Sequence, residues 1–245
     1  MKKVFGFIGS PLKTRSNTYT VAKMMTDRLQ EMDSGISCEL LTAGDVKIDY
    51  CRGCWSCMTR GVCPQDKTDG MAMLKQKLIE ADFIIWGSPV YTMQVSGQMK
   101  TFLDRLCCWY HLMFLAGRSG IVLSTTAGSG TREVNDFLGM LLCAIGVKVV
   151  GDIEARGYFP ATLGDPEDAR QKAHAMAESV LPYVLGEKPV ESDDYLEQCF
   201  QVARKKVTYG AKWLPADVEY WQKKGMDGLN SFAELLEKIR AGKGE

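Results

Sequence analysis

Apolar positions fall into five short runs, and stretches of helical period separate them. Val4-Phe5-Gly6-Phe7-Ile8 ends in Gly9-Ser10-Pro11 and reads as a buried strand. From Thr18 to Met32 the residues Val21, Ala22, Met24, Met25, Leu29 and Met32 recur at helical spacing. Ile36 to Leu41 is the second expected strand. A Cys-rich loop and a helix over about Met71 to Glu80 follow. Phe83 to Gly87 is the third strand, closed by Ser88-Pro89, and a helix is expected from about Ser96 to Cys108. Ser119 to Ser124 forms the fourth strand, and Gly128-Ser129-Gly130 leads into a helix over about Thr131 to Ile145. Val147 to Ile153 is the fifth strand, and 166–185 reads as helix.

Continuous apolar runs alternating with helices predict a parallel α/β sheet covered on both faces. With five strands the expected order is the doubly wound 2-1-3-4-5, with ligands bound beyond the carboxyl ends of the strands. Those ends are the loops 9–18, 88–94 and 124–130, which carry Gly, Ser, Thr and Pro rather than bulk. After Gly186-Glu187-Lys188-Pro189 the composition shifts to helical segments with Tyr195, Phe200, Tyr209, Trp213, Tyr220 and Trp221 and no further strand. The chain therefore divides into a sheet domain over 1–186 and a helical extension over 187–245. The aromatics of the extension are expected to pack on that domain or on a second subunit.

Composition narrows the function classes. Hydrophobic residues are 46% and charged residues 24%, as in an ordinary globular chain. Lys+Arg and Asp+Glu are both 30, so the basic excess of a nucleic-acid coat is missing. Runs such as Phe83-Ile84-Ile85-Trp86 are too short to span a bilayer. Met1-Lys2-Lys3 enters a strand at once, unlike a signal peptide. The expectation is a soluble, cytoplasmic protein that binds neither nucleic acid nor membrane. Nine cysteines without an export signal argue against a disulfide scaffold. Cys38, Cys107, Cys108, Cys143 and Cys199 sit in apolar or helical stretches and are expected as core residues.

The first loop, Gly9 to Thr18, runs straight into a helix. Backbone N–H groups at such an N-terminus, with small hydroxyl and amide side chains, suit a phosphate. Lys13 and Arg15 add charge. The loop lacks the Gly-Lys-Ser/Thr ending of a nucleotide P-loop, and no GxGxxG follows the first strand. The small, flexible third loop suits close approach of a planar ligand. Together the three loops describe a pocket for a phosphate and an extended flat ring.

Gly9-Ser10-Pro11 … Ser16-Asn17-Thr18, followed by Gly87-Ser88-Pro89-Val90-Tyr91 … Met99-Lys100-Thr101-Phe102-Leu103-Asp104-Arg105, resembles the flavodoxin-like NAD(P)H-dependent FMN reductases, and most of all their iron–sulfur flavoprotein branch. The likeness covers about residues 3–185. It implies a flavodoxin-like fold and FMN, with the phosphate on Ser10, Ser16, Asn17 and Thr18. It also implies a flavin ring against Pro89, Val90, Tyr91 and Thr92 and against Thr125, Thr126 and Gly128 of the loop after the fourth strand. The family's loop usually reads Gly-Ser-Pro-Arg. Here Leu12 stands in place of that Arg, which leaves Lys13 or Arg15 as the substitute cation. Lys100, Asp104 and Arg105 are expected to act structurally, through helix pairing or subunit contacts.

Cys51-x2-Cys54-x2-Cys57-x5-Cys63 is a compact run followed by Pro64. Bacterial ferredoxins wrap a cluster with a similar spacing. Three readings stand side by side: a [4Fe–4S] cluster on all four thiolates, thiols that only pack, and a zinc site. Cys54 and Arg60 also match the Cys-x5-Arg spacing of low-molecular-weight tyrosine phosphatases, but after the wrong strand and amid three other cysteines. His111 and His174 complete no catalytic or metal set and are expected on helix surfaces. No pair of carboxylates is spaced for hydrolysis.

What the resemblance implies is an FMN-dependent oxidoreductase that takes electrons from NAD(P)H or reduced ferredoxin. The acceptor would be a quinone, a nitro or azo compound, or a protein. Hydride transfer to a flavin needs no protein acid or base, so no catalytic side chain is assigned. The alternatives are an electron carrier between protein partners and a module that has lost its cofactor. The family's tendency to dimers and tetramers implies a homo-oligomer.

Overall fold

The computed structural model describes residues 1–242. In chain order the elements are β1 (Lys2–Ile8), α1 (Asn17–Met32), β2 (Ile36–Thr42), α2 (Ser56–Arg60), α3 (Met71–Glu80), β3 (Phe83–Tyr91) and β4 (Gln94–Val95). Then come α4 (Gly97–Asp104), α5 (Trp109–Leu112), β5 (Arg118–Thr126), α6 (Thr131–Ala144), β6 (Val147–Arg156) and α7 (Pro166–Leu185). The chain continues through α8 (Asp194–Tyr209), α9 (Pro215–Lys224) and α10 (Phe232–Ala241).

Five parallel strands run in the order β2-β1-β3-β5-β6, the doubly wound flavodoxin-like arrangement. Residues alternate between the two faces of the sheet, as the pleat requires. Phe7, Ile84, Trp86 and Val122 point toward α3, α4 and α6, where Phe7 stacks on Phe102 at 4.2 Å between ring centroids. Val4, Ile8, Ile85 and Leu123 point toward α1 and α7, whose Ala169, Ala173 and Ala177 let that helix lie close. Burial on both faces is why β1, β3 and β5 read as continuous apolar runs.

Three boundaries differ from the sequence expectation. β3 does not stop at Gly87 but continues to Tyr91 and turns through Thr92 and Met93 into the short antiparallel β4. Pro89 is tolerated there because the β1 partner ends at Gly87, so its missing N–H costs no bond on that side. β6 likewise runs on to Arg156, pairing as far as Thr126. The helix expected through Cys108 ends at Asp104. Its last turn tightens, with the Arg105 N–H shared between the Thr101 and Phe102 carbonyls, before the separate α5.

Beyond α7 the chain forms α8, α9 and α10, which bury Leu196, Phe200, Trp221 and Phe232 against Leu112, Met113 and Cys143. Trp221 and Phe200 are therefore interior, whereas Tyr195, Tyr209 and Trp213 are exposed. The last three residues of the expected extension, 243–245, lie outside the described residues. His111 corrects the sequence expectation, because it is not a surface residue. Its Nδ1 meets the buried Asp217 Oδ2 at 2.8 Å, and its carbonyl accepts from Trp221 Nε1 at 2.8 Å. Among the described residues no helix is long and apolar enough to cross a membrane.

Candidate functional site

The loops at the carboxyl ends of β1, β3, β5 and β6 meet at one edge of the sheet. Gly9 N–H donates to the Gly87 carbonyl at 2.7 Å, which ties the first loop to β3, and Ser96 Oγ donates to the Gly9 carbonyl. Thr18, in the first turn of α1, meets Thr125 at the end of β5 through their hydroxyls at 2.6 Å, both residues buried. Asn17 Nδ2 donates to the Phe159 carbonyl at 2.9 Å. Ala161 N–H donates to the Arg15 carbonyl at 2.8 Å, which brings in the loop after β6.

Within the first loop, Ser16 caps α1 by accepting from Tyr19 N–H at 3.3 Å, and Ser10 Oγ accepts from Leu12 N–H at 3.3 Å. Each hydroxyl keeps its own hydrogen to donate. The N–H groups of Asn17 and Thr18 have no acceptor among the described residues, as expected at the start of a helix. Two free backbone donors, two hydroxyls and the positive end of a 16-residue helix converge where an anion would sit. Of the two cations, Lys13 is drawn to Asp45 at 3.7 Å and Arg15 has no carboxylate partner among the described residues. Arg15 is therefore the cation left for an anion.

The second loop is a tight hairpin. Thr92 and Met93 both adopt left-handed backbone, at φ 50° and 64°, which bends β3 back on β4. Residues without glycine's freedom rarely take that conformation, and such strain gathers at functional sites. Pro89 stands beside Thr125 in the sheet register, and Tyr91 is exposed at the tip. In the third loop Thr126 Oγ1 donates to the Ser129 carbonyl at 2.9 Å and accepts from Gly128 N–H at 3.1 Å. Gly130 has φ 97°, and a Cβ there would stand 2.8 Å from Val90 Cγ1. The second and third loops therefore interlock. A cavity of about 370 Å³ opens beside Thr126 and Gly128, walled by Arg156 and Tyr158.

The loop after β6 is the part that sequence reasoning missed. Tyr158 and Phe159 stand exposed at the rim, and a Cβ on Gly157 would lie 2.4 Å from Asn17 Nδ2. The signal was the run Gly157-Tyr158-Phe159-Pro160, an aromatic pair just beyond a strand's carboxyl end.

The clustered cysteines are held differently. Cys51 and Cys54 are exposed, while Cys57 and Cys63 are half-buried. Cys57 lies on α2 beside Cys107 and Cys108, whose thiols hold its own well below the usual range while theirs are pushed up. Among the described residues no three metal-ligating side chains stand close enough to grip one ion. Thiolates at this spacing have the chemistry of cluster ligands, but Cys57 is engaged with Cys107 and Cys108 between α4 and α5. In this arrangement the four do not form a cradle. Beneath the loop, Arg105 donates to the Asp49 carbonyl at 2.9 Å and to Asp66 at 2.7 Å, and pairs with Asp69. Lys100 and Asp104 form an i,i+4 pair at 2.5 Å on the outside of α4.

Residues 2–157 match the family described as NADPH-dependent FMN reductase. An iron–sulfur flavoprotein of Archaeoglobus fulgidus is 33% identical over 225 residues, which cover 91% of this chain and 99% of the relative. An iron–sulfur flavoprotein of Methanocaldococcus jannaschii is 37% identical over 163 residues, covering 65% of this chain and 81% of the relative. Among solved structures, an FMN-dependent NADH-azoreductase from Bacillus anthracis in complex with FMN superposes with a TM-score of 0.52 at 18% identity. That match covers 74% of this chain and 98% of the azoreductase, and it speaks to the fold alone.

Proposed function

The chain belongs to the NADPH-dependent FMN reductase family and is an FMN-dependent oxidoreductase, and from that premise we propose that it carries electrons from NAD(P)H or reduced ferredoxin to a quinone, a nitro or azo compound, or a protein. One observation carries the placement of the cofactor. The Thr18–Thr125 bond joins the first loop to the third beside two backbone N–H groups without acceptors. When bound, FMN supplies the redox chemistry.

The remaining work falls to this chain's own residues. Asn17 and Thr18 N–H, with the Ser10 and Ser16 hydroxyls, hold the phosphate, and Arg15, which has no carboxylate partner among the described residues, adds positive charge from the same loop. Pro89, Val90, Tyr91 and Thr92 wall one edge of the ring, with Thr125, Thr126 and Gly128 on the other. Their rigid interlock with Gly130 fixes the ring's position, and exposed Tyr158 and Phe159 leave its outer edge open to a donor or acceptor. No proton is moved by a side chain in this scheme.

A second reading, a carrier of electrons between protein partners, is favoured by Cys51, Cys54, Cys57 and Cys63 and by the likeness to iron–sulfur flavoproteins. Among the described residues the four sulfurs are not gathered around one ion. The deciding experiment is anaerobic purification, FMN titration, and assay of NADH and NADPH oxidation alongside iron content. FMN uptake with nicotinamide oxidation supports the reductase. FMN and about four irons per chain, without nicotinamide oxidation, support the carrier. Protein that takes up no FMN refutes both.

A further inference from the structure

α8 is amphipathic in an unusual way. Its inner face buries Leu196, Phe200, Ala203 and Val207, and its outer face is not uniformly polar. Tyr195, Val202 and Tyr209 point outward with 43%, 53% and 85% of their surface exposed. Seven-residue spacing is close to two helical turns, so the three form one line, with about 10 Å between neighbours. Lone exposed apolar residues need no explanation, but an aligned series does.

This line is symmetric about its centre, because Tyr195 and Tyr209 each lie seven residues from Val202. Its charges are antisymmetric. Glu191 and Asp194 flank the first tyrosine, whereas Lys205, Lys206 and Lys212 flank the second. None of these five has an ion-pair partner among the described residues. The other acids at that end are already engaged: Asp193 pairs with Lys148 at 2.5 Å, and Glu197 accepts from Phe232 N–H at 2.8 Å.

We propose that this face of α8 pairs with the same face of a second copy of the chain, antiparallel, about a two-fold axis through Val202. Val202 then meets its symmetry mate, and each Tyr195 meets the other copy's Tyr209. The acidic end of each helix lies on the basic end of the other, and the two helix dipoles oppose, which also favours the pair. A parallel pair would set lysines against lysines. A partner of uniform charge would match only half the face. The self-complementary occupant is therefore the one that the charge pattern selects.

The test uses the full chain and measures mass by sedimentation. Wild-type protein is expected to associate, and Val202→Glu and Val202→Lys are each expected to halve its mass by placing like charges on the axis. Mixing the two variants in equal amounts should restore the wild-type mass, because Glu then faces Lys. Tyr209→Glu, at an exposed site, should also halve the mass and guards against a Val202 variant that fails to fold. A monomeric wild type, a Val202→Glu variant of unchanged mass, or a mixture that stays at half mass would each overturn the proposal.

Discussion

Arg105 sets its guanidinium on the carboxylate of Asp69, both side chains fully buried, and so fixes the chain that carries the clustered cysteines to the end of α4. The same guanidinium reaches Asp66 at 2.7 Å. Replacing one partner of a buried pair leaves the other charge uncompensated. Arg105→Met is therefore expected to destabilise the protein by about 3–5 kcal/mol, read from urea unfolding. A loss within about 0.5 kcal/mol, the range of an ordinary surface change, would show that the pair holds nothing.

The same pair sets an acid sensitivity. Burial raises the Asp69 carboxyl, but hydrogen bonds from Arg105 and from the Asp49 and Met71 N–H groups outweigh it and hold the group below its ordinary value. A lowered folded value means that its stabilisation is complete above the unfolded value, about 4, and drains away as pH falls through the folded one. The stability gap between wild type and Asp69→Asn should be widest near neutrality and should close below about pH 4. Urea midpoints between pH 7 and 3 measure it, and a gap independent of pH would exclude the ion pair as its source.

Ser10 and Ser16 supply the side-chain donors of the proposed phosphate site. Ser10→Ala with Ser16→Ala removes both hydroxyl donors while leaving the Asn17 and Thr18 N–H groups in place. Hydrogen bonds to charged groups contribute about 1.5–3 kcal/mol each, so FMN affinity should fall by about tenfold or more. Flavin fluorescence titration reads this. Unchanged affinity would remove these residues from the site.

Gly130 answers for the ring side. A methyl group there meets Val90 Cγ1 at 2.8 Å and demands a backbone that L-residues avoid. Gly130→Ala should cost about 1–2 kcal/mol and loosen the interlock between the second and third loops. The expected result is a lower melting temperature together with weaker FMN binding. Intact FMN binding in a destabilised variant would place the flavin elsewhere.

The central strands were legible because they are buried on both faces, which leaves plain apolar runs such as Phe83 to Trp86. The convergence of the three expected loops followed from strand order. What stayed hidden is long-range or conformational. The Thr92–Met93 turn has no glycine to announce it. His111 looked like a surface residue because Asp217, its partner, lies 106 positions away. Asn17 reads as a helix-start residue, and nothing local shows that it also grips Phe159, 142 positions on. Cys57 was grouped with its sequence neighbours, yet its contacts are Cys107 and Cys108.

Leu12 is where the first loop departs from the Gly-Ser-Pro-Arg of the family it resembles. Its N–H is held by Ser10 Oγ and its side chain is partly exposed, so the position accepts a longer side chain without displacing the core. Lys13 cannot serve in its place while Asp45 draws it away. Under the proposed phosphate placement, Arg15 is then the first loop's remaining cation, beside the neutral donors of α1. Leu12→Arg should add a second cation and tighten FMN binding by roughly fivefold, about 1 kcal/mol. Because that gain is electrostatic, it should shrink as salt rises from low to molar concentration. Titrations of wild type and variant at both salt levels decide the point: a Leu12→Arg affinity equal to wild type at low salt would mean that the phosphate does not lie beside residue 12.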